Sequence, residues 1–305
     1  MNLREIFQET KGVWKKNRST FLGFSMAIFA VFFAVVAGYM FVEPEWSLLI
    51  VGLTVVVVLP LFVGIDYIAK KAVNGEELDY RDFYLGHRNF LTSLTLETKV
   101  ISRGILFACL GMFITTFVLN FILTYFIMVS NPEIMNIVEG IVDNKNTFMD
   151  LISALSAISW YELALTIVDG ASLLIGGAFY IWQGKRYTFL PYICFETRFN
   201  LPTAVYLSKE SSDSIRKSFF AYNLLYYVLI LLVAGLSVGV YYLFALFASE
   251  MISLAVSFAV ACLLLSPVFL FYKVSTYVIY TKNFKEEIDK AFKIKLEEAK
   301  QKGNL

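Results

Sequence analysis

Histidine is nearly absent from this chain, with His87 alone in 305 residues, and cysteine is scarce, at Cys109, Cys194 and Cys262. A lone histidine cannot build a histidine-based metal site, and a catalytic one would want a nucleophile or carboxylate beside it. His87 therefore reads as structural. The cysteines are far apart and form no C-x-x-C pair, which argues against a disulfide framework or a zinc ribbon. They read as small apolar side chains in a reducing setting. No H-E-x-x-H, Walker A, G-x-S-x-G or G-x-G-x-x-G motif occurs, which argues against the common soluble chemistries and against ATP-driven work. No cofactor and no nucleic-acid partner is expected. Charge is also short: 17% of residues are Asp, Glu, Lys or Arg, against roughly 25% in soluble domains.

What the chain has in excess is apolar length. Hydrophobic residues make up 58% and aromatics 17%, which favours a membrane bundle over two soluble domains. A spanning helix needs about 20 mostly apolar residues, and six segments qualify: Thr20–Val42, Ser47–Ala69, Gly104–Val129, Leu163–Gln183, Phe219–Ala248 and Met251–Tyr280. The last two exceed a bilayer and must tilt or protrude. The first is too long for a cleavable signal and has no A-x-A exit.

Lys and Arg set the orientation, because they accumulate on cytoplasmic flanks. Residues 1–19, 70–103, 184–218 and 281–305 hold 24 of them, and the alternate loops hold one, Lys145. The expected architecture is thus an all-α polytopic membrane protein, with six spans as three hairpins over residues 20–280. Both termini are placed in the cytoplasm, with a cytoplasmic interfacial helix over 1–19 (Leu3, Phe7, Trp14) and a basic tail helix over 281–305. The alternate loops carry acids instead, among them Glu43, Glu45, Glu133, Asp143 and Glu250.

The cytoplasmic segment Gly75–Phe90 reads GEELDYRDFYLGHRNF. Tyr80, Phe83, Tyr84 and His87 recur at three to four residues, the spacing of one helical face. Such a helix lies in the headgroup layer or packs under the bundle, with Gly75 and Gly86 as breakers at its ends. Glu76, Asp79, Phe83, His87 and Asn89 form a candidate contact helix for a protein partner. The tail places Phe284, Ile288, Ala291, Phe292, Lys295 and Ala299 on one side, suited to an anionic leaflet or a partner. Asn131–Tyr161, long for a loop, suggests two amphipathic helices: Ile134, Ile137, Val138, Ile141 and Val142, then Phe148, Leu151, Ile152 and Leu155. A cap over a cavity and plain interface packing both remain open for them.

Each returning limb carries a proline followed by a charge: Pro60 and Asp66, Pro191 and Glu196, Pro267 and Lys273. Proline frees a carbonyl and kinks a helix, so the pattern suggests repeated hairpins. Glu77–Asp79 with Asn89 is echoed by Glu210–Asp213 with Asn223. Ionisable groups inside a bilayer are functional candidates, and the candidate intramembrane polar site is Asp66, Lys273, Asp169, Arg186 and Glu196. Asp66 and Lys273 lie near the inner ends of spans running the same way and can meet as a buried pair; snorkelling of Lys273 to the headgroups is the bland alternative. Asp169 reads equally as a solvated or helix-contact residue and as a functional one. Asn120, Asn223, Thr54 and Ser266 are candidates for hydrogen bonds between helices.

Arg186, Pro191, Glu196, Ala204 and Ser208 follow an R-x4-P-x4-E-x7-A-x3-S pattern. With the Gly75–Glu76 stretch, it resembles the membrane domain joined to some bacterial glycerophosphodiester phosphodiesterases, and related six-span bacterial proteins of uncharacterised function. The resemblance covers about residues 20–280 and implies a returning helix ending in Pro and Glu, then a short cytoplasmic helix. These residues include no soluble phosphodiesterase domain, so it does not imply hydrolysis. Function stays open between a non-enzymatic membrane module that binds a partner protein or lipid, a carrier for a lipid-like or small hydrophobic solute, and an intramembrane lipid enzyme. Membrane lipids are partners in each, and nothing in the pattern specifies an oligomeric state.

Overall fold

The computed structural model describes residues 2–41, 47–143, 145–158, 160–197 and 201–301, and all secondary structure among them is helical. Glu43 and Glu45, and the side chains of Phe148, Ala291, Lys295 and Ala299, lie outside the described residues. Thirteen α-helices run in order: α1 (Leu3–Lys16), α2 (Arg18–Phe41), α3 (Ser47–Asn74), α4 (Leu85–Arg88), α5 (Phe90–Ser130), α6 (Pro132–Val142), α7 (Phe148–Ser156), α8 (Tyr161–Phe179), α9 (Leu190–Glu196), α10 (Leu201–Ser214), α11 (Arg216–Ala245), α12 (Glu250–Asn283) and α13 (Lys285–Gln301). Five segments among the described residues are long and apolar enough to cross a membrane: Arg18–Val35, Phe90–Ser130, Tyr161–Glu196, Arg216–Ala245 and Glu250–Asn283. Two compact units result, one of residues 1–102 with 185–305 and one of residues 103–184.

The first unit is organised around α12. From Leu270 to Tyr280 this helix is buried nearly throughout, with α1, α2, α3 and α11 against it. Apolar burial gains little inside lipid, so packing and hydrogen bonds must hold such a bundle. Aromatic side chains supply the packing: Tyr222 lies 5.7 Å from Tyr272, and Tyr192 lies 5.0 Å from Tyr277. Hydroxyls supply the bonds. Tyr222 donates to the Tyr272 carbonyl at 3.0 Å, and Tyr272 donates to Asn223 Oδ1 at 2.8 Å. Asn223 thus joins α11 to α12, whereas Ser266 bonds only to Cys262 of its own helix.

Helix α1 differs from the expected interfacial helix. Ile6 and Thr10 are buried, and Phe7 lies 6.3 Å from Tyr222 and 6.4 Å from Phe271. The Trp14 ring packs tilted against Phe21, 4.9 Å away. Its apolar face therefore belongs to the protein core. The tail differs in the same way. Helix α12 stops at Phe284 (φ −134°), and Phe284 and Ile288 at the start of α13 are core residues.

The segment after α3 is a 3-10 turn (Tyr80–Tyr84) followed by α4, not one amphipathic helix. Asp79 begins the turn: its carboxylate accepts from the Arg81 amide at 2.9 Å, while its own amide donates to Asp82 Oδ2 at 3.1 Å. This reciprocal cap starts a new turn. Only Phe83 of the expected aromatic face is buried; Tyr80 and Tyr84 are exposed and His87 is half-buried. Gly75 does break the chain, with φ +75°, in a six-residue closure where the Glu76 amide reaches the Lys71 carbonyl at 2.9 Å. Gly86 has a different task from the one expected. A Cβ there would lie 1.8 Å from the Pro60 carbonyl oxygen, and one on Gly64 would lie 2.1 Å from that of Phe83. The two glycines let the segment and α3 touch backbone to backbone.

In the second unit, Thr116 of α5 donates to Ser172 of α8 at 2.8 Å. Helix α8 ends in a wide π turn, Tyr180–Gly184. Thr147 and Asp150 form a capping box at α7, whose hydrogen bonds to Asp150 hold its carboxyl below the usual carboxylate range.

Two expectations follow. Gly86→Ala should lower the thermal unfolding midpoint in detergent by an amount matching about 1–3 kcal/mol, the range for overpacking; an unchanged midpoint would mean the contact with Pro60 is slack. Asp150 has a depressed folded pKa, so its contribution is present above its unfolded value and lost as pH falls through the folded one. Amide protection factors over 147–156, corrected for the intrinsic pH dependence of exchange, should therefore fall on acidification, and should already be low at neutral pH in Asp150→Ala.

Candidate buried charge cluster

Three segments that each follow or contain a limb proline converge at one place in the first unit. Asp66 stands six residues after Pro60 in α3, Tyr192 follows Pro191 in α9, and Lys273 stands six residues after Pro267 in α12. Lys273 Nζ lies 2.9 Å from Asp66 Oδ2, and Tyr192 Oη donates to Asp66 Oδ1 at 2.8 Å. The Tyr192 hydroxyl also lies 3.2 Å from the Lys273 carbonyl oxygen. It has one proton, and the shorter approach to a charged acceptor assigns that proton to Asp66. Asp66 is 1% exposed and Tyr192 fully buried. Phe62 and Phe269 place their rings 5.9 and 5.6 Å from the ammonium, which disperses its charge further.

A second carboxylate joins the cluster. Glu97, on α5, is 1% exposed, with Lys273, Asp66 and Lys185 as its charged neighbours. Its Oε1 has no hydrogen-bond partner among the described residues. Lys185 sits 4.8 Å over the Tyr272 ring. Asp66 is therefore fully used, by an ammonium on one oxygen and a hydroxyl on the other, whereas Glu97 is buried with one oxygen idle.

The remaining expected site residues are not in this cluster. Arg186 donates from Nε to Asp213 Oδ1 at 2.9 Å and pairs through its second nitrogen with Oδ2. Its carbonyl accepts from Ser208 at 3.3 Å and Ser212 at 3.0 Å. Glu196, at the end of α9, lies 3.0 Å from Lys285 and accepts from Tyr277. The R-P-E-A-S residues are thus a fastening set: Arg186 is held by Ser208 and Asp213 of α10, Ala204 is buried against the core, and Glu196 ties α9 to α12 and α13. Asp169 belongs to the second unit, where it is exposed on α8.

In the cytoplasmic contact set, Asp79 caps its own turn, Phe83 packs 6.0 Å from Phe24, and Glu76 bonds Asn74 at 3.2 Å. Asn89 ends α4 and is exposed, and His87 lies 6.3 Å from Tyr84. Lys71 closes the segment onto α3 through Asp82 at 2.8 Å. No family model, curated protein or solved structure matches the chain.

Glu97 and Tyr192 were missed from the sequence, as was the pairing of Asp213, known there only from the Glu210–Asp213 echo, with Arg186. Glu97 sits in the polar run TLETKV, where an acid looks solvated; its only signal is helical spacing with the buried Ser93 and the half-buried Val100. Tyr192 was hidden among aromatics. Between α5, α9 and α10, Leu91, Thr92, Thr95, Leu96, Cys194, Thr197 and Leu201 line an open cleft of ≈ 560 Å³.

Asp66→Asn strands the Lys273 ammonium and should cost about 3–5 kcal/mol, the usual loss on breaking a buried pair. Glu97→Gln removes a buried charge whose Oε1 accepts no hydrogen bond, and should raise the unfolding midpoint. Both are read by thermal unfolding in detergent. The opposite order of the two variants would mean that Glu97, not Asp66, is the partner Lys273 needs.

Proposed function

We propose that this chain is a six-span membrane module with cytoplasmic termini, whose cytoplasmic face holds a partner protein or lipid. The sixth span is α3, a 28-residue helix of a length that crosses a bilayer with some tilt. The Lys and Arg bias supplies the orientation. The resemblance of Arg186–Ser208 to the membrane domain linked to bacterial phosphodiesterases agrees with a module of this kind.

One observation carries the reading: Asp66 and Lys273 satisfy each other and Tyr192 completes them. A carrier would keep such groups for a solute, and a closed ion pair offers none. The same fastening recurs toward the cytoplasmic end. Lys71–Asp82, Arg186–Asp213, Lys285–Glu196 and Lys282 with Glu5 and Glu9 tie five further segments together. Above this fixed base, Tyr84 and Leu91 stand 57% and 76% exposed, with Arg81 and Arg88 exposed beside them. Aromatic and arginine side chains of this kind are favoured interface groups.

The carrier reading keeps one supporting observation, the idle oxygen of buried Glu97. Native mass spectrometry of protein extracted with its own lipids separates the two. A stoichiometric protein or lipid companion is expected to survive in the Asp66→Asn/Lys273→Met double variant and to fall away in Arg81→Glu/Tyr84→Ser. A small solute lost only from the double variant would favour the carrier.

A further inference from the structure

Helix α8 has two unlike sides. Val168, Ser172 and Gly176 are buried within residues 103–184, where Ser172 accepts from Thr116 and a Cβ on Gly176 would meet Met112 and the Ala108 carbonyl. Away from that seam, Leu163, Thr166, Ile167, Gly170 and Leu174 are exposed, and Asp169, also exposed, stands between Thr166 and the seam. A Cβ on Gly170 would touch nothing within 4 Å. Thr166 turns its hydroxyl back to the Glu162 carbonyl at 2.9 Å, so it does not serve Asp169. The Asp169 carboxylate has no hydrogen bond or ion pair among the described residues. It stands eight residues into α8, about 12 Å along the helix, amid apolar side chains.

An acid at that depth is costly against lipid and is normally paired. Resting on the partner-binding reading above, we propose that this side of α8 docks a transmembrane helix of another membrane protein, one carrying a lysine or arginine that pairs with Asp169. Charge complementarity selects that occupant. A second copy offering the same face brings another Asp169 and no cation. The chain's own intramembrane cation, Lys273, is already held by Asp66 at 2.9 Å. Thr166 and Gly170 form a small-xxx-small pair that lets a helix approach closely, which shortens the reach for the incoming cation.

The test uses full-length protein in phosphatidylcholine vesicles and a fluorescent Leu-rich transmembrane peptide of about 20 residues. One peptide carries a single Lys at the depth of Asp169, and its control carries Leu there. Energy transfer should report binding of the Lys peptide about tenfold tighter than the control, as one intramembrane polar pair provides. The preference should vanish in Asp169→Asn and return in Asp169→Glu. Equal binding of both peptides would overturn the proposal, as would a preference that survives Asp169→Asn. So would energy transfer between two copies of the protein that outcompetes the Lys peptide. Because the cytoplasmic companion is read on Arg81 and Tyr84, losing this site and losing the partner-binding function give different results.

Discussion

A carboxylate and an ammonium removed from water each carry a desolvation cost of several kcal/mol, and only close contact with each other offsets it. Asp66 and Lys273 meet at 2.9 Å across 207 residues of chain, and that contact dictates much around it. Helices α3 and α12 can have only the register that brings the two together. The second oxygen of Asp66 demands a donor, which places α9 so that Tyr192 reaches it at 2.8 Å. Once α9 is placed, Glu196 meets Lys285 and Tyr277 four residues further on. A buried pair adds little net stability compared with apolar side chains of the same volume. Its effect is on specificity, because any other register leaves a charge stranded.

The two units are held by different means. In residues 1–102 with 185–305, ion pairs and tyrosine hydroxyls knit short segments onto α12. The backbone contacts at Gly64 and Gly86 bring the cytoplasmic turn onto α3 without side chains between them. In residues 103–184, the hydrogen bond between Thr116 and Ser172 and the close approach at Gly176 stand in for that network. Lipid tails are as apolar as leucine, so exposed phenylalanines on α5 gain little by leaving them. The first unit is consequently fixed by side-chain networks, and within the second Asp169 and many apolar side chains are exposed.

Charge pairing also separates structural from available groups. Arg186 and Glu196 sit in the most distinctive stretch of the chain, yet each is paired with a neighbour, Arg186 with Asp213 and one oxygen of Glu196 with Lys285. Among the described residues, Glu97 is buried with an oxygen that accepts no hydrogen bond, and Asp169 is exposed with no ion pair. One is enclosed beside a satisfied pair and the other faces outward from α8. A membrane protein keeps such groups only where something offsets them, and the surroundings of the two point to different compensation: Lys185 and Lys273 for Glu97, a foreign cation for Asp169.

The long helices were legible in the residues themselves, because apolar runs near 20 residues and helical spacing are local properties. The two amphipathic stretches of 131–161 were legible for the same reason, and appear as α6 and α7. So was the break at Gly75, where the backbone conformation favours glycine. The meeting of Asp66 with Lys273 was legible as an option, from depth and direction alone, but not the choice between pairing and snorkelling. Tertiary structure decided that, because an ammonium goes where its counter-charge is held, and Asp66 is held by Tyr192. It likewise decided that α1 and the start of α13 are core rather than interface, since an amphipathic face fits a headgroup layer or a protein wall equally well. Glu97 was beyond local reading altogether: burial of a polar residue is imposed by the helices packed around it, and those come from the far end of the chain.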